Sequence, residues 1–404
     1  VLLFHIPGER PGCGNAGVPS HAVCSTDNFP LENPRTIVSH SPMPLPVRNA
    51  IHQLAGYTPG EQPQESGWVK LNTNENPYPP SPLVVEAIQR AASGRLNVYP
   101  DALATPFRHA VAELFKIGPD WILPANGSDE NLTIIVRTAC DSGQLIAYPY
   151  PSYVLYEALA RIQGCRVERL ALDDSFAWSP AAAAELRCRT RVFFVPNPNS
   201  PTGNVWPADS LVQLLPDDGL LVLDEAYVDF ADIPHRGELL QDGRFDRRLV
   251  ITRTLSKSYS LAGIRFGFSI AHPDLTAQMQ KAKDSYNCDA VAMAAATAAI
   301  RDQDWMLSNR AKILATRARL SDRLRDLGFK VYDSQTNFVW IQHASSQHQT
   351  IYLRLKERHI LVRYMKFPGA GSAGRPLDGL RITIGTDDEI DQLLHELTEC
   401  IGDL

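Results

Sequence analysis

The chain has 404 residues, 44% hydrophobic and 21% charged, with a formal net charge of −6. This is a globular composition with material for two domains, and the acidic balance excludes an electrostatic case for nucleic acid or an anionic membrane as partner. Seven cysteines at 13, 24, 140, 165, 188, 288 and 400 form no CxxC pair, which argues against a disulfide framework or zinc site and for a reducing compartment.

The opening "VLLFHIPGERPG" is too short for a secretory signal core and lacks its basic start. No apolar run approaches the ~20 residues that span a bilayer, so a cytoplasmic location is expected. Residues 1–48 are aperiodic and rich in Pro, Gly, Ser and Asn, the composition of a poorly ordered extension. From Pro82, "PLVVEAIQRAA" and "TPFRHAVAELF" have helical spacing with Pro near the start. "SDENLTIIVRTAC" reads as a helix opened by Ser128, with acidic residues in its first turn. The apolar runs "QLIAYP", "CRVERLAL", "RVFFVPNP", "GLLVLDEAYV", "RLVITRTLS" and "RFGFSIA" read as strands buried in an α/β sheet. After Asp284 a long Ala-rich helical region leads from a larger to a smaller domain. The last segments, "KVYDSQTNFVWIQ", "YLRLKERHILVRYM" and "LRITIGTDDEIDQLLHELTECI", read as strand, helix, strand, strand, helix, an α+β unit. The expected division is an extension at 1–48, a large domain at 82–300, and a small domain built from 49–81 with 301–404.

Four stretches carry chemistry. Lys257 follows the strand "LVITRT", and ligands in open α/β sheets bind beyond the carboxyl ends of strands. A lysine there forms a Schiff base with a carbonyl if its surroundings favour the neutral amine. "LLVLDEAYVDF" delivers Asp224, Glu225 and Tyr227 at a strand exit. A carboxylate so placed costs free energy unless it meets a cation, and a protonated pyridine is such a cation. In "NGSDENL", Gly127 allows a tight turn and the amides from Ser128 onward suit a phosphate monoester. "VPNPNSPTGNVWP" closes a strand with a turn whose Asn or Ser side chains suit a ring hydroxyl. Singly, each has an ordinary reading: a surface lysine, a capping carboxylate, a plain N-cap, a plain turn.

Together, "NPNSPTG", "LDEAYVDF" and "RTLSKSYSLAGIRFGF" resemble, in order and spacing, the fold-type I aminotransferases that use pyridoxal phosphate, over roughly residues 50–400. "GYTPGEQ", "KLNTNENPYPPSP", "NVYPD", "YPSYVLY", "HILVRYM" and "LRITIGT" are similar to the histidinol-phosphate aminotransferases within that superfamily. The resemblance implies a mostly parallel central sheet with helices on both faces and a smaller α+β domain. It implies transamination between L-histidinol phosphate and 2-oxoglutarate in histidine biosynthesis, by a homodimer with a shared active site.

The resemblance also implies site roles. Lys257 bonds the cofactor aldehyde, Asp224 pairs with the pyridine N–H, and Tyr227 bonds the neighbouring ring oxygen. Tyr153 stacks on the ring. The Ser128 and Asp129 amides, Ser256 and Arg265 hold the phosphate, supported by Thr254, and Tyr78 reaches it from the second subunit. Arg363 and Arg381 bind the anionic ends of the substrates, and Tyr57 and Asn76 help close the site. The superfamily often has Asn directly before "PTG"; here Ser200 stands there, which leaves Asn199 and Ser200 as alternative contacts to the ring oxygen. "YNCDA", from Tyr286, departs from the "YNVN" pattern at its fourth place. Rival activities on similar motifs are an aromatic amino acid aminotransferase and an amino-acid phosphate decarboxylase. A ligand-sensing regulator would need a nucleic-acid-binding module, and residues 1–48 lack a helical period and a basic stripe. No histidine or carboxylate spacing matches a metal site.

Overall fold

Short runs of Val, Leu, Ile and Phe closed by Pro, Gly or Asn suit strands covered on both faces, and the chain uses them so. The computed structural model describes residues 45–54, 60–234, 237–245, 247–371 and 376–402. Tyr57 and positions 1–44 of the expected extension lie outside these. In chain order come α1 (Asn49–His52), β1 (Val69–Lys70), α2 (Pro82–Ala92), α3 (Thr105–Phe115), β2 (Ile122–Ala125), α4 (Gly127–Ala139), β3 (Leu145–Tyr150), α5 (Leu155–Gln163), β4 (Arg166–Ala171), α6 (Pro180–Arg187) and β5 (Thr190–Pro196). Then follow α7 (Ala208–Leu211), β6 (Leu220–Asp224), β7 (Leu249–Thr254), β8 (Gly267–Ala271), α8 (Pro273–Ala282), α9 (Ala290–Arg301) and α10 (Gln303–Asp326). The last elements are β9 (Phe329–Val331), β10 (Phe338–His343), α11 (His348–Glu357), β11 (Ile360–Leu361), β12 (Arg363–Phe367), β13 (Leu377–Thr383) and α12 (Asp387–Ile401).

Seven strands form one sheet in the order β2-β8-β7-β6-β5-β3-β4, and only β8 runs against its neighbours. Side-chain alternation along β5 shows how both faces are covered. Val192 and Phe194 share a core with Ile135 of α4 and Tyr156 of α5. Phe193 and Val195 share another with Leu186 of α6 and Leu211 of α7. Each such side chain, fully buried, contributes about 1.5–3 kcal/mol.

A second, antiparallel sheet runs β12-β13-β10-β9. With α10, α11 and α12 it encloses a core that contains Ile313, Val339, Ile351, Leu380 and Leu393, to which Val69 and Leu71 also belong. β1 pairs in parallel with β11, which ties the early segment to this sheet. Val47–Leu404 form one compact unit. Within it, we propose that the antiparallel sheet and its core mark the smaller domain, 49–81 with 301–404, and the seven-stranded sheet the larger.

One local reading is corrected. Ser128 does not open α4: the helix starts at Gly127, with Asn126 in the N-cap position but no side-chain capping bond, because Gly127 takes φ +80° and turns the chain one residue early. The Ala-rich region is helical as expected, in two helices, α9 and α10. It breaks at Asp302, whose carboxylate accepts from Trp305 N–H and caps α10.

Candidate active site

The carboxyl ends of β5, β6 and β7 open onto a cavity of about 240 Å³. β6 delivers Asp224, which is 5% exposed. Tyr156 donates to its Oδ2 at 2.9 Å and Thr252 to its Oδ1 at 3.3 Å. Both donors are neutral, so burial outweighs them and lifts the carboxyl to about 6.

The loop after β7 carries Lys257, whose Nζ donates to the Thr73 carbonyl at 3.1 Å. Burial, reinforced by the Arg381 guanidinium, lowers this amine to about 8. An appreciable fraction is therefore the neutral nucleophile near neutral pH. Tyr227 turns its ring toward the lysine, with the centroid 5.9 Å from Nζ, and its hydroxyl accepts from Asn74 Nδ2 at 2.9 Å.

At the N-terminus of α4, the first-turn amides have no intrahelical acceptors. Arg265 extends toward them, its guanidinium 3.4 Å from Ser256 Oγ and 3.7 Å from Asp129 Oδ2. Thr254 Oγ1 accepts from the Ser256 N–H at 3.1 Å and fixes the bend that presents Ser256. A Cβ on Gly267 would lie 2.6 Å from the Ser128 nitrogen, so only glycine lets β8 press this close to the cradle. Tyr153 hangs over the cavity, its hydroxyl 3.3 Å from Asp129 Oδ1 and its ring edge-on to Tyr156.

The register of β12 and β13 sets Arg363 directly opposite Arg381. Like charges placed so repel each other unless they share an anion, and both residues line the cavity. Arg381 is steadied by Ser200 Oγ at 3.2 Å and the Asn72 carbonyl at 3.0 Å.

Ser128, Asp129, Tyr153, Asp224, Tyr227, Thr254, Ser256, Lys257 and Arg265 thus come together around this cavity with the two arginines. Three residues do not. Asn199 is fully buried and its amide nitrogen donates to the Pro151 carbonyl and Thr202 Oγ1, so it braces the turn, while Ser200 faces the cavity. Neighbours in extended chain face opposite ways, and here the second of the pair turns inward. Asn76 is absent from the lining because its amide donates to the Lys257 and Ser258 carbonyls at 3.0 and 3.3 Å. Tyr78 lies outside this cavity, its ring 4.7 Å from Lys312 Nζ. Sequence reasoning missed Asn72, Thr73, Asn74 and Tyr156. The polar run "NTNEN" straight after a strand was the available signal for the first three; Tyr156, at helical spacing from Tyr153, reads as core.

Pyridoxal phosphate fits this arrangement. A buried carboxyl with neutral partners matches a protonated ring nitrogen. The helix terminus and Arg265 match a phosphate monoester, and Lys257 matches an aldehyde. Among the described residues, no group of His, Cys, Asp and Glu could hold a metal ion.

A buried lysine beyond a strand end, an acidic residue at the neighbouring strand end and a helix terminus with an arginine beside it are the arrangement that suits a pyridoxal-phosphate-dependent transferase. The chain belongs to the aminotransferase class I and II family, which it matches over residues 66–397. It is similar to a protein of Rhodopirellula baltica named histidinol-phosphate aminotransferase, 48% identical over 349 residues, 86% of this chain and 93% of that protein. A protein of that name from Geobacter sulfurreducens is 42% identical, over 88% of this chain and 99% of its own length. The crystal structure of histidinol-phosphate aminotransferase from Sinorhizobium meliloti in complex with pyridoxal-5′-phosphate superposes with a TM-score of 0.74 at 29% identity, covering 83% of this chain and 91% of that one. The architecture is therefore fold-type I and the cofactor pyridoxal phosphate.

Proposed function

We propose that this aminotransferase moves the amino group of L-histidinol phosphate to 2-oxoglutarate, giving imidazole-acetol phosphate and glutamate, in histidine biosynthesis. The observation that carries this reading is the facing pair Arg363 and Arg381 in the same cavity as Lys257. Forked guanidinium groups suit both a phosphate dianion and a carboxylate, so one site serves both half-reactions. The similarity to two proteins of that name supports the choice of substrate.

When bound, pyridoxal phosphate supplies an aldehyde for the substrate amine and a ring that accepts the electron pair left when the Cα proton departs. Asp224 keeps the proton on the ring nitrogen. Lys257 Nζ would take the Cα proton as base and return it, as acid, to the former aldehyde carbon on the far side of the substrate nitrogen, which suits an amine near 8. Ser128 and Asp129 N–H groups, Ser256 and Arg265 would hold the phosphate, with Thr254 in support. Tyr153 would contact the ring, and the Tyr227 hydroxyl would donate to its oxygen.

The active form in this reading is a cytoplasmic homodimer. No helix among the described residues is long and apolar enough to cross a membrane. Leu96, Val98 and Tyr99 are 60, 50 and 78% exposed, and Tyr99 stacks on the half-exposed Tyr286 at 4.5 Å. Such a patch suits a second copy, which would bring its Tyr78 to this cavity. The test is a panel of amino donors with 2-oxoglutarate. Histidinol phosphate should exceed phenylalanine and threonine phosphate in kcat/KM by about 10²-fold or more. A preference for phenylalanine, or carbon dioxide released from threonine phosphate, contradicts the reading.

A further inference from the structure

Building on the proposed reaction, we infer that Asn74 and Thr383 form a directional hydrogen-bond relay that commits the Tyr227 hydroxyl proton to the cavity, which makes both of them positioning residues for the cofactor's ring oxygen.

The direction follows link by link. The Asn74 backbone N–H donates to Thr383 Oγ1 at 3.0 Å. Thr383 then gives its own hydrogen to Asn74 Oδ1 at 3.1 Å. That uses the amide oxygen and leaves Nδ2 facing the Tyr227 oxygen at 2.9 Å. An amide nitrogen only donates, so Tyr227 is the acceptor there and its hydrogen points elsewhere. No described residue takes that hydrogen, and the residue lines the cavity. Phe338 meets its ring edge-on at 5.1 Å and leaves the phenol little room to swing.

The relay is rigid. Asn74 and Thr383 are 1% and 3% exposed. Asn337 Nδ2 donates to the Asn74 carbonyl at 3.0 Å. Asn74 sits at φ +56°, a left-handed conformation that Asn tolerates better than most side chains. The charged groups that act on Tyr227 and Lys257 are Arg381, Asp224, Asp129, Glu75 and Arg265. Thr383→Val leaves all of them in place and removes only the hydroxyl. The Asn74 amide is then free to reverse and accept the Tyr227 proton itself.

The test is a pH titration of the visible absorbance of the cofactor-loaded protein. A proton donated to the ring oxygen favours the deprotonated chromophore, so its loss raises the transition. Thr383→Val should move the midpoint up by about one pH unit, the size of one lost hydrogen bond, toward that of Tyr227→Phe. Thr383→Ser should restore it, and adding Thr383→Val to Tyr227→Phe should move it no further. Asn74→Gly, which keeps the backbone conformation and removes the amide, should move it the same way if Thr383→Val fails to fold. An unchanged midpoint in Thr383→Val or Asn74→Gly, or an equal shift with and without Tyr227, overturns the relay alone. A wild-type protein that takes up no cofactor overturns the aminotransferase reading and the relay with it.

Discussion

Asp224 and Lys257 are each held away from their ordinary protonation, and both burdens fall on the cofactor-free protein. Asp224 is raised from 3.8 to about 6 by burial. The native state therefore binds more protons than the unfolded chain between those values, and stability falls as pH rises through that window. Lys257 is lowered from 10.5 to about 8, so its contribution has the opposite slope, with stability recovering as pH rises from 8 to 10.5. Between about pH 6 and 8 both groups oppose folding, a burden that the proposed pyridinium and aldehyde partners would relieve. Denaturant titration of cofactor-free wild type and Asp224→Asn checks this. The variant should gain about 3 kcal/mol relative to wild type between pH 4 and 7, two pH units at about 1.4 kcal/mol each. A difference that stays flat across that range contradicts the strain assigned to Asp224.

At the level of elements, the site depends on how closely β8 approaches the start of α4. Gly267→Ala would drive a Cβ to 2.7 Å from the Gly127 carbonyl carbon and the Arg253 oxygen, both backbone. We expect a cost of ~2 kcal/mol in stability and a ~10-fold or greater loss of cofactor affinity through the displaced amides, read by titrating cofactor-free protein with pyridoxal phosphate. Unchanged affinity would separate β8 from the cradle. The strands were legible because their apolar runs are short and end in turn residues. The start of α4 was misread by one residue, since Ser128 looks like a cap and only Gly127's left-handed backbone moves the turn. The segment 72–76 carried no periodicity, so its part was hidden: it lends carbonyls to Arg381 and Lys257 and amides to Tyr227 and the lysine loop. Those bonds join residues distant in sequence, which local pattern does not report.

For the whole molecule, the convergence on one cavity was legible where the family's motifs fix one residue type, as at Lys257, Asp224 and Arg265. It was ambiguous where two neighbours offered the same chemistry, as at Asn199 and Ser200, because only the turn decides which faces inward. Tyr78 raises the question of assembly. If a second copy completes the site, the protein migrates in solution at twice its 44.7 kDa mass, and a Tyr78→Phe protein mixed with an inactive Lys257→Ala protein regains fully wild-type sites in mixed dimers. A monomer with full activity contradicts the shared site.

The most direct measurement is a single half-reaction. Cofactor-loaded protein is mixed with L-histidinol phosphate, without 2-oxoglutarate, while the visible absorbance is followed and imidazole-acetol phosphate is quantified. Wild type should lose the colour of its bound cofactor and release one equivalent of product per site. Lys257→Ala should be slower by about 10²–10⁴-fold, the contribution of a positioned proton-transfer group. Conversion by Lys257→Ala at the wild-type rate, or a wild type that binds the cofactor yet leaves histidinol phosphate unchanged, would contradict the proposed reaction.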